Sequence, residues 1–391
     1  MQNAAPAAVP ADAPGPEARH AGWPELFFDL VFVAVVSQLA KGLHGDPGRG
    51  DFLTFLALFA PAWWAWINFM FQANLFDDDR PRARLLLLTA MLSLAAMSAA
   101  VPEGLGGRAP VFSLALAATR LVMFAQWWPA TSRELPAGQR VPRWRPFTYC
   151  VVTATLWAVS AAVPSPWRFV LWVIALAIEV AMIAAGHGNS LPGPISVEHL
   201  VERVGLFVII VLGESVIALI TAMSGTWTGQ AALVAVLGFV LLAALWWSYF
   251  DFATPAAERH LRLLPPREMY AMARDVVAFL HFFAVAGITA LAAGLGTVVA
   301  DAGHHRLPTG ALVALAGGQA LYHAAHSAIS LRYGRTLRRT APWAVPGVLV
   351  PLAVIALGDV LSPPVAVAVL AAEALAHLLA ARRGTTRPSN A

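Results

Sequence analysis

Glu25 and Asp29 stand four positions apart at the head of the apolar run Glu-Leu-Phe-Phe-Asp-Leu-Val-Phe-Val. On a helix that spacing puts both carboxylates on one face. They read either as a paired acid at the mouth of a membrane helix or as acids placed at a positive helix N-terminus. A second group, Glu198, His199, Glu202 and Arg203, opens another apolar run. There Glu198 and Glu202 share a face and Arg203 can reach back to His199. An ion-pair cluster fixing a helix end and a titratable site both fit. Glu214, next to Ser215, lies about 18 Å farther along the same helix than Glu202. A charge that deep in a span costs about 2.5–3.5 kcal/mol. A carboxyl held there in neutral form suits a proton carrier; a hydrogen-bonded packing role is the alternative.

Arg120 is the natural intramembrane cation, with Glu179 or Glu214 as its partner, in a structural pair or a substrate contact. Asp275 with His281, and His323 with His326, add titratable groups. The His323/His326 pair shares a face and offers two ligands to a metal, but no third ligand is obvious. No metal and no cofactor are expected. Asn68 and Asp251 close two Trp-rich runs, Trp63-Trp64-Ala-Trp66-Ile-Asn68 and Trp246-Trp247-Ser-Tyr249-Phe-Asp251. Such tryptophans read first as interfacial belts and second as cavity lining. The chain has no Gly-x-x-x-x-Gly-Lys phosphate loop, His-Glu-x-x-His zinc motif or Gly-x-Ser-x-Gly elbow, so no motif advertises an enzyme.

The elements that must position these residues are membrane helices. The chain has 391 residues, 59% hydrophobic and 12% charged, with a mean hydropathy of +0.66. A soluble domain carries about 25% charged residues. The single cysteine, Cys150, excludes a disulfide framework. Twelve apolar runs approach the roughly 20 residues a span needs. They fall near 24–42, 52–72, 84–101, 110–129, 147–163, 167–185, 198–223, 230–252, 274–297, 309–331, 342–359 and 363–381. Alternating the spans puts nineteen Lys and Arg on the side of the N-terminus and five on the other. By the positive-inside rule both termini are cytoplasmic. The arginines between spans are topology signals, so the net charge of +4 points to a lipid bilayer and not to nucleic acid. Residues 1–22 and 382–391 read as tails.

The second half echoes the first. Glu25 corresponds to Glu202, Ser37-Gln38 to Glu214-Ser215, Trp64 to Trp247, and Arg120 to Gln319. Six spans plus six, residues 23–190 and 191–381, would be parallel repeats related by an axis along the membrane normal.

The segments Glu25–Val33 and Glu198–Ser215, with Trp246–Asp251 as a third block, resemble the bacterial low temperature requirement A family over residues 23 to about 380. The resemblance implies a polytopic membrane protein with a role in growth at low temperature, and carries no reaction.

The expectation is an all-α, proton-coupled secondary transporter of a small solute. Its candidate residues are Glu25, Asp29, Asn68, Arg120, Glu198, His199, Glu202, Arg203, Glu214, Ser215, Asp251, His281 and His323. The alternative is a non-transporting membrane protein: a sensor, an assembly factor or a lipid-modifying enzyme. Buried polar residues from both halves meeting in one cavity favour the first, and a cluster at one membrane face favours an enzyme.

Overall fold

The computed structural model describes residues 21–75, 80–132, 141–185 and 195–385. The tail through residue 20, Arg133, Arg140 and Arg387 lie outside the described residues.

Every described apolar run becomes a helix, and no strand occurs among the described residues. We number them α1 (Trp23–Lys41), α2 (Arg49–Leu75), α3 (Pro81–Glu103), α4 (Ala109–Trp127), α5 (144–162), α6 (Trp167–Ala184), α7 (Val197–Gly225), α8 (Gly229–Arg262), α9 (Pro266–Ala300), α10 (309–332), α11 (Leu337–Ala356) and α12 (Pro363–Thr385). Ten are long and apolar enough to cross a membrane. The other two, α5 and α10, have lower hydropathy because they carry polar residues such as Tyr149, Thr153, Gln319 and His323. Those residues point inward: Thr153 and Gln319 are fully buried and His323 is 1% exposed. The molecule is a polytopic helical membrane protein.

Local chemistry sets several of the ends. Pro81 and Pro363 begin α3 and α12, where a missing N–H costs nothing. Ser196 caps α7 by accepting the His199 amide, and Thr228 caps α8 by accepting the Ala231 amide at 3.1 Å. Gly45, with φ 79°, turns the chain between α1 and α2 and donates its N–H to Thr297 Oγ1 at 2.9 Å.

Cross-contacts sort the helix ends onto two faces. On one face the start of α1 meets the start of α7 (Glu25 with His199), and the end of α8 meets the start of α7 (Arg262 with Glu198, 2.7 Å). There too the end of α10 meets the start of α9 (Arg332 with Asp275, 2.9 Å) and Arg274 reaches the end of α6 (Ala184 O, 2.8 Å). On the opposite face the α1–α2 turn meets the end of α9 and the start of α10 (Gly45 with Thr297; Asp46 with Gly310). Helices α1 and α7 therefore start on the same face, the arginine-rich one.

Within the first half α3 packs on α1 and α4, and α4 on α5; within the second α9 packs on α7 and α10, and α10 on α11. Helices α9 and α10 touch backbone to backbone: a Cβ added at Gly287 would stand 2.6 Å from Gly318 O. Helix α1 also packs on α7, joining the halves, and α12 lies along α8.

Candidate functional site

The start of α1 and the start of α7 form one buried charged cluster. Asp29 and Arg203 are 0% and 1% exposed, with Arg203 Nη2 donating to Asp29 Oδ1 at 2.8 Å. The same oxygen accepts Trp66 Nε1 of α2 at 2.9 Å. Arg203 Nη1 also reaches Glu25 Oε2 at 3.4 Å, and His199 Nε2 meets that oxygen at 2.7 Å. Behind the imidazole, Asn74 Nδ2 lies 3.1 Å from His199 Nδ1 and donates to Ser196 O at 2.8 Å. Asn74 Oδ1 accepts the Ser196 amide at 3.1 Å, tying the end of α2 to the start of α7. Arg203 thus crosses to the acids of α1 instead of reaching back to His199. Asp29 Oδ2 and Arg203 Nε have no hydrogen-bond partner in this buried setting.

The two glutamates flanking these cations serve the rim. Glu198 pairs with Arg262 at 2.7 Å, and Glu202 accepts the Ala21 amide at 3.0 Å.

A second polar system is built mainly from the first half, with Tyr270 and Arg274 of α9 completing its cavity. Arg120 of α4 makes two parallel bonds to Glu179 of α6, each 2.7 Å, and both residues are fully buried. The partner left open by the sequence is therefore Glu179, not Glu214. One helical turn nearer the arginine-rich face, Asn68, Met123, Tyr149, Cys150, Met182, Arg145, Tyr270 and Arg274 line a cavity of about 130 Å³. Its walls are mostly apolar. Tyr149 OH donates to Asn68 Oδ1 at 2.6 Å and accepts Trp64 Nε1 at 3.1 Å, while Asn68 Nδ2 is buried without a partner.

Other expected residues stand apart. Glu214 is half-buried and lies within electrostatic reach of His44 in the α1–α2 turn, toward the opposite face. Ser215 is buried and bonds back to Val211 O at 3.1 Å. Asp251 is exposed and accepts Trp247 Nε1 of its own helix. His281 is held between Val276 O (2.8 Å) and Tyr249 OH (3.2 Å).

The belt reading of the α2 tryptophans is corrected. Trp63, Trp64 and Trp66 are buried, with Trp63 Nε1 on Ala278 O at 2.8 Å and Trp66 packed against Phe207. Helix α2 is 67% buried along its apolar stretch, so its rings meet neighbouring helices on most sides. Trp246 and Trp247 of α8 are exposed, and further exposed tryptophans sit at helix ends: Trp23 and Trp144 toward the arginine-rich face, Trp167 and Trp227 toward the other.

Residues 20–380 match the family described as Bacterial low temperature requirement A protein (LtrA). The chain belongs to the low temperature requirement A family. It is also 31% identical over 287 residues to a protein of Rhizobium meliloti (strain 1021) described as uncharacterized, covering 70% of this chain and 68% of that one. Two of the three segments that carried the family resemblance form the two walls of the charged cluster: Glu25 and Asp29 from one, His199 and Arg203 from the other.

Sequence reasoning passed over Asn74, Tyr149, Glu373 and His377, and named Trp66 only as part of a tryptophan run. Asn74 and Tyr149 carry no intrinsic signal in an apolar helix. Glu373 and His377 did carry one, as an acid and an imidazole four apart inside the apolar run of α12.

Proposed function

We propose that this protein is a proton-coupled secondary transporter in the bacterial inner membrane, with both termini cytoplasmic. The observation that carries the reading is the buried Asp29–Arg203 pair, built from the first helix of each half. A buried ion pair is weak as a device for stability, because apolar residues of similar volume often do as well or better. Here it is also under-satisfied, with one oxygen of Asp29 and one nitrogen of Arg203 unpartnered. A joint between halves whose strength depends on carboxylate and imidazole protonation is the kind of element that alternating access requires. Glu25 and His199 extend the pair toward the arginine-rich face, so protons reach it from that side. The cavity under Asn68 and Tyr149 is the solute site of this reading, and its lining suits a small, largely apolar solute with an anionic or hydrogen-bonding end.

Equivalent packing in the two halves supports a six-plus-six repeat. The Arg120–Glu179 pair bridges α4 and α6, and Gln319 with Glu373 bridges α10 and α12. Arg120 and Gln319 are the positions that the sequence comparison of the halves aligned.

One observation favours a second reading. Arg145 and Arg274 line the cavity, which also fits a lipid headgroup and a protein that acts on lipids.

The test uses purified protein in liposomes with a pH-reporting dye trapped inside, under an imposed pH gradient, across a panel of small solutes. Wild type moves protons when its solute is added, and Asp29→Asn does not. Equal proton movement by both removes Asp29 from coupling. Silence across the whole panel, with phospholipid turnover in the same vesicles, moves the assignment to the second reading.

A further inference from the structure

Helix α12 presents Glu373 and His377, four residues apart and so on one face. Helix α10 presents His323 opposite them. One ligand atom from each of the three lies within 4.8 Å of the other two. His323 Nε2 stands 3.2 Å from Glu373 Oε2, and the His323 and His377 rings are 4.7 Å apart between centroids. His323 and Glu373 are 1% and 8% exposed.

The surroundings hold this geometry in place. Gln319 Nε2 donates to Glu373 Oε2 at 2.6 Å and to Leu370 O at 3.2 Å, fixing the carboxylate. Gly347 lets α11 press its backbone on the His323 ring, since a Cβ there would lie 2.9 Å from His323 Cγ. Trp343 packs edge-on against His377. Yet His323 Nδ1 and His377 Nδ1 are buried with no hydrogen bond made, while His323 Nε2 is turned to the Glu373 carboxylate. Buried imidazole nitrogens normally have partners, and lone pairs left open beside a carboxylate are what a metal ion uses.

We propose that His323, Glu373 and His377 bind a divalent transition-metal ion of the Zn²⁺ class between α10 and α12. Two imidazoles and one carboxylate are a set that zinc accepts with a further position open. The nitrogen donors disfavour Mg²⁺ and Ca²⁺, which take oxygen ligands, and no thiolate is present to select a softer ion. Zinc ligands sit about 2.0–2.2 Å from the metal, so the three atoms need only a modest side-chain contraction. Gln319 is the supporting residue that orients the carboxylate. The site lies wholly in the second half and does not depend on the transport reading.

Untagged full-length protein in detergent, stripped with chelator and dialysed against Zn²⁺, tests the site by elemental analysis. One Zn²⁺ per chain is expected, with a Zn²⁺-dependent rise in unfolding temperature. Co²⁺ in its place gives the visible absorption of a low-coordinate nitrogen and oxygen site. His377→Gln, whose ring is only half-buried, and Glu373→Gln each lose the metal. Gln319→Leu binds about 10–100-fold more weakly. Replacing the exposed His304 and His305 changes nothing. Wild type that retains no metal overturns the proposal, as does binding that survives both ligand variants or disappears with His304 and His305. A ligand variant that fails to fold leaves the decision to the wild-type stoichiometry and Co²⁺ spectrum.

Discussion

Trp66 and Asn68 stand two positions apart on α2 and serve opposite neighbours. Trp66 Nε1 donates to Asp29 at 2.9 Å, while Asn68 Oδ1 accepts Tyr149 OH at 2.6 Å. Two residues along a helix turn about 200°, so α2 is a wedge with the charged cluster on one side and the cavity beside Tyr149 on the other. A shift of α2 that follows the Asp29–Arg203 pair therefore reaches the cavity wall directly.

Trp66→Phe keeps the ring and removes the N–H. A hydrogen bond to a charged group contributes about 1.5–3 kcal/mol, and the unfolding temperature in detergent should fall accordingly. Combined with Asp29→Asn, the loss should be smaller than the sum of the singles, because both act on one carboxylate. A fully additive pair of losses would mean that the contact contributes nothing.

Asp29→Leu alone strands the Arg203 guanidinium, and Arg203→Met alone strands the Asp29 carboxylate. Each should cost about 3–5 kcal/mol and lower the yield of folded protein. The double variant should recover at least half of that stability. It should still fail in the liposome assay, which separates the pair's role in coupling from its role in folding.

Asn68→Leu tests the cavity without touching the ion pair. Leucine fills space beside Tyr149 and ends the hydrogen bond to its hydroxyl. The fold should lose about 1 kcal/mol, visible as a small drop in unfolding temperature. Solute-dependent proton movement should fall much further. Unchanged transport would exclude this cavity as the solute site.

Gly287→Leu should force α9 and α10 apart. Even a Cβ would meet Gly318 O at 2.6 Å, and backbone on both sides cannot yield as a side chain can. The expected loss is about 1–3 kcal/mol or more. Gly213→Ala, where nothing stands within 4 Å, is the matched control and should be neutral.

Reporter fusions in the α4–α5 connection and at the C-terminus should both report the cytoplasm. A periplasmic signal from either would reverse the assignment of the arginine-rich face.

The membrane class, the helices and their alternating faces were legible in the sequence, because each depends on local composition. Twenty apolar residues demand a helix in lipid whatever their neighbours are. Arginines between runs mark one face without reference to packing. The segments carrying Glu25, Asp29, His199 and Arg203 were also visible as charges with no local reason to be in apolar runs. Partners were not visible. Arg203 was read against His199, on its own helix, because sequence spacing reports only neighbours within a turn. Its actual partners are 174 and 178 positions away. Glu214 looked central from its depth along α7, yet depth says nothing about which way a helix face turns, and the structure sets it near His44. The tryptophans of α2 looked like a belt because aromatic residues suit both an interface and an interior. Only the packing of other helices around α2 decided for the interior. The sequence by itself determined a polytopic helical membrane protein with two charged helix starts. The tertiary structure decided that these starts face each other, that Arg120 takes Glu179, and that His323 meets Glu373 and His377. Those pairings arise between helices distant in sequence, where side-chain packing and not helical periodicity selects the contact.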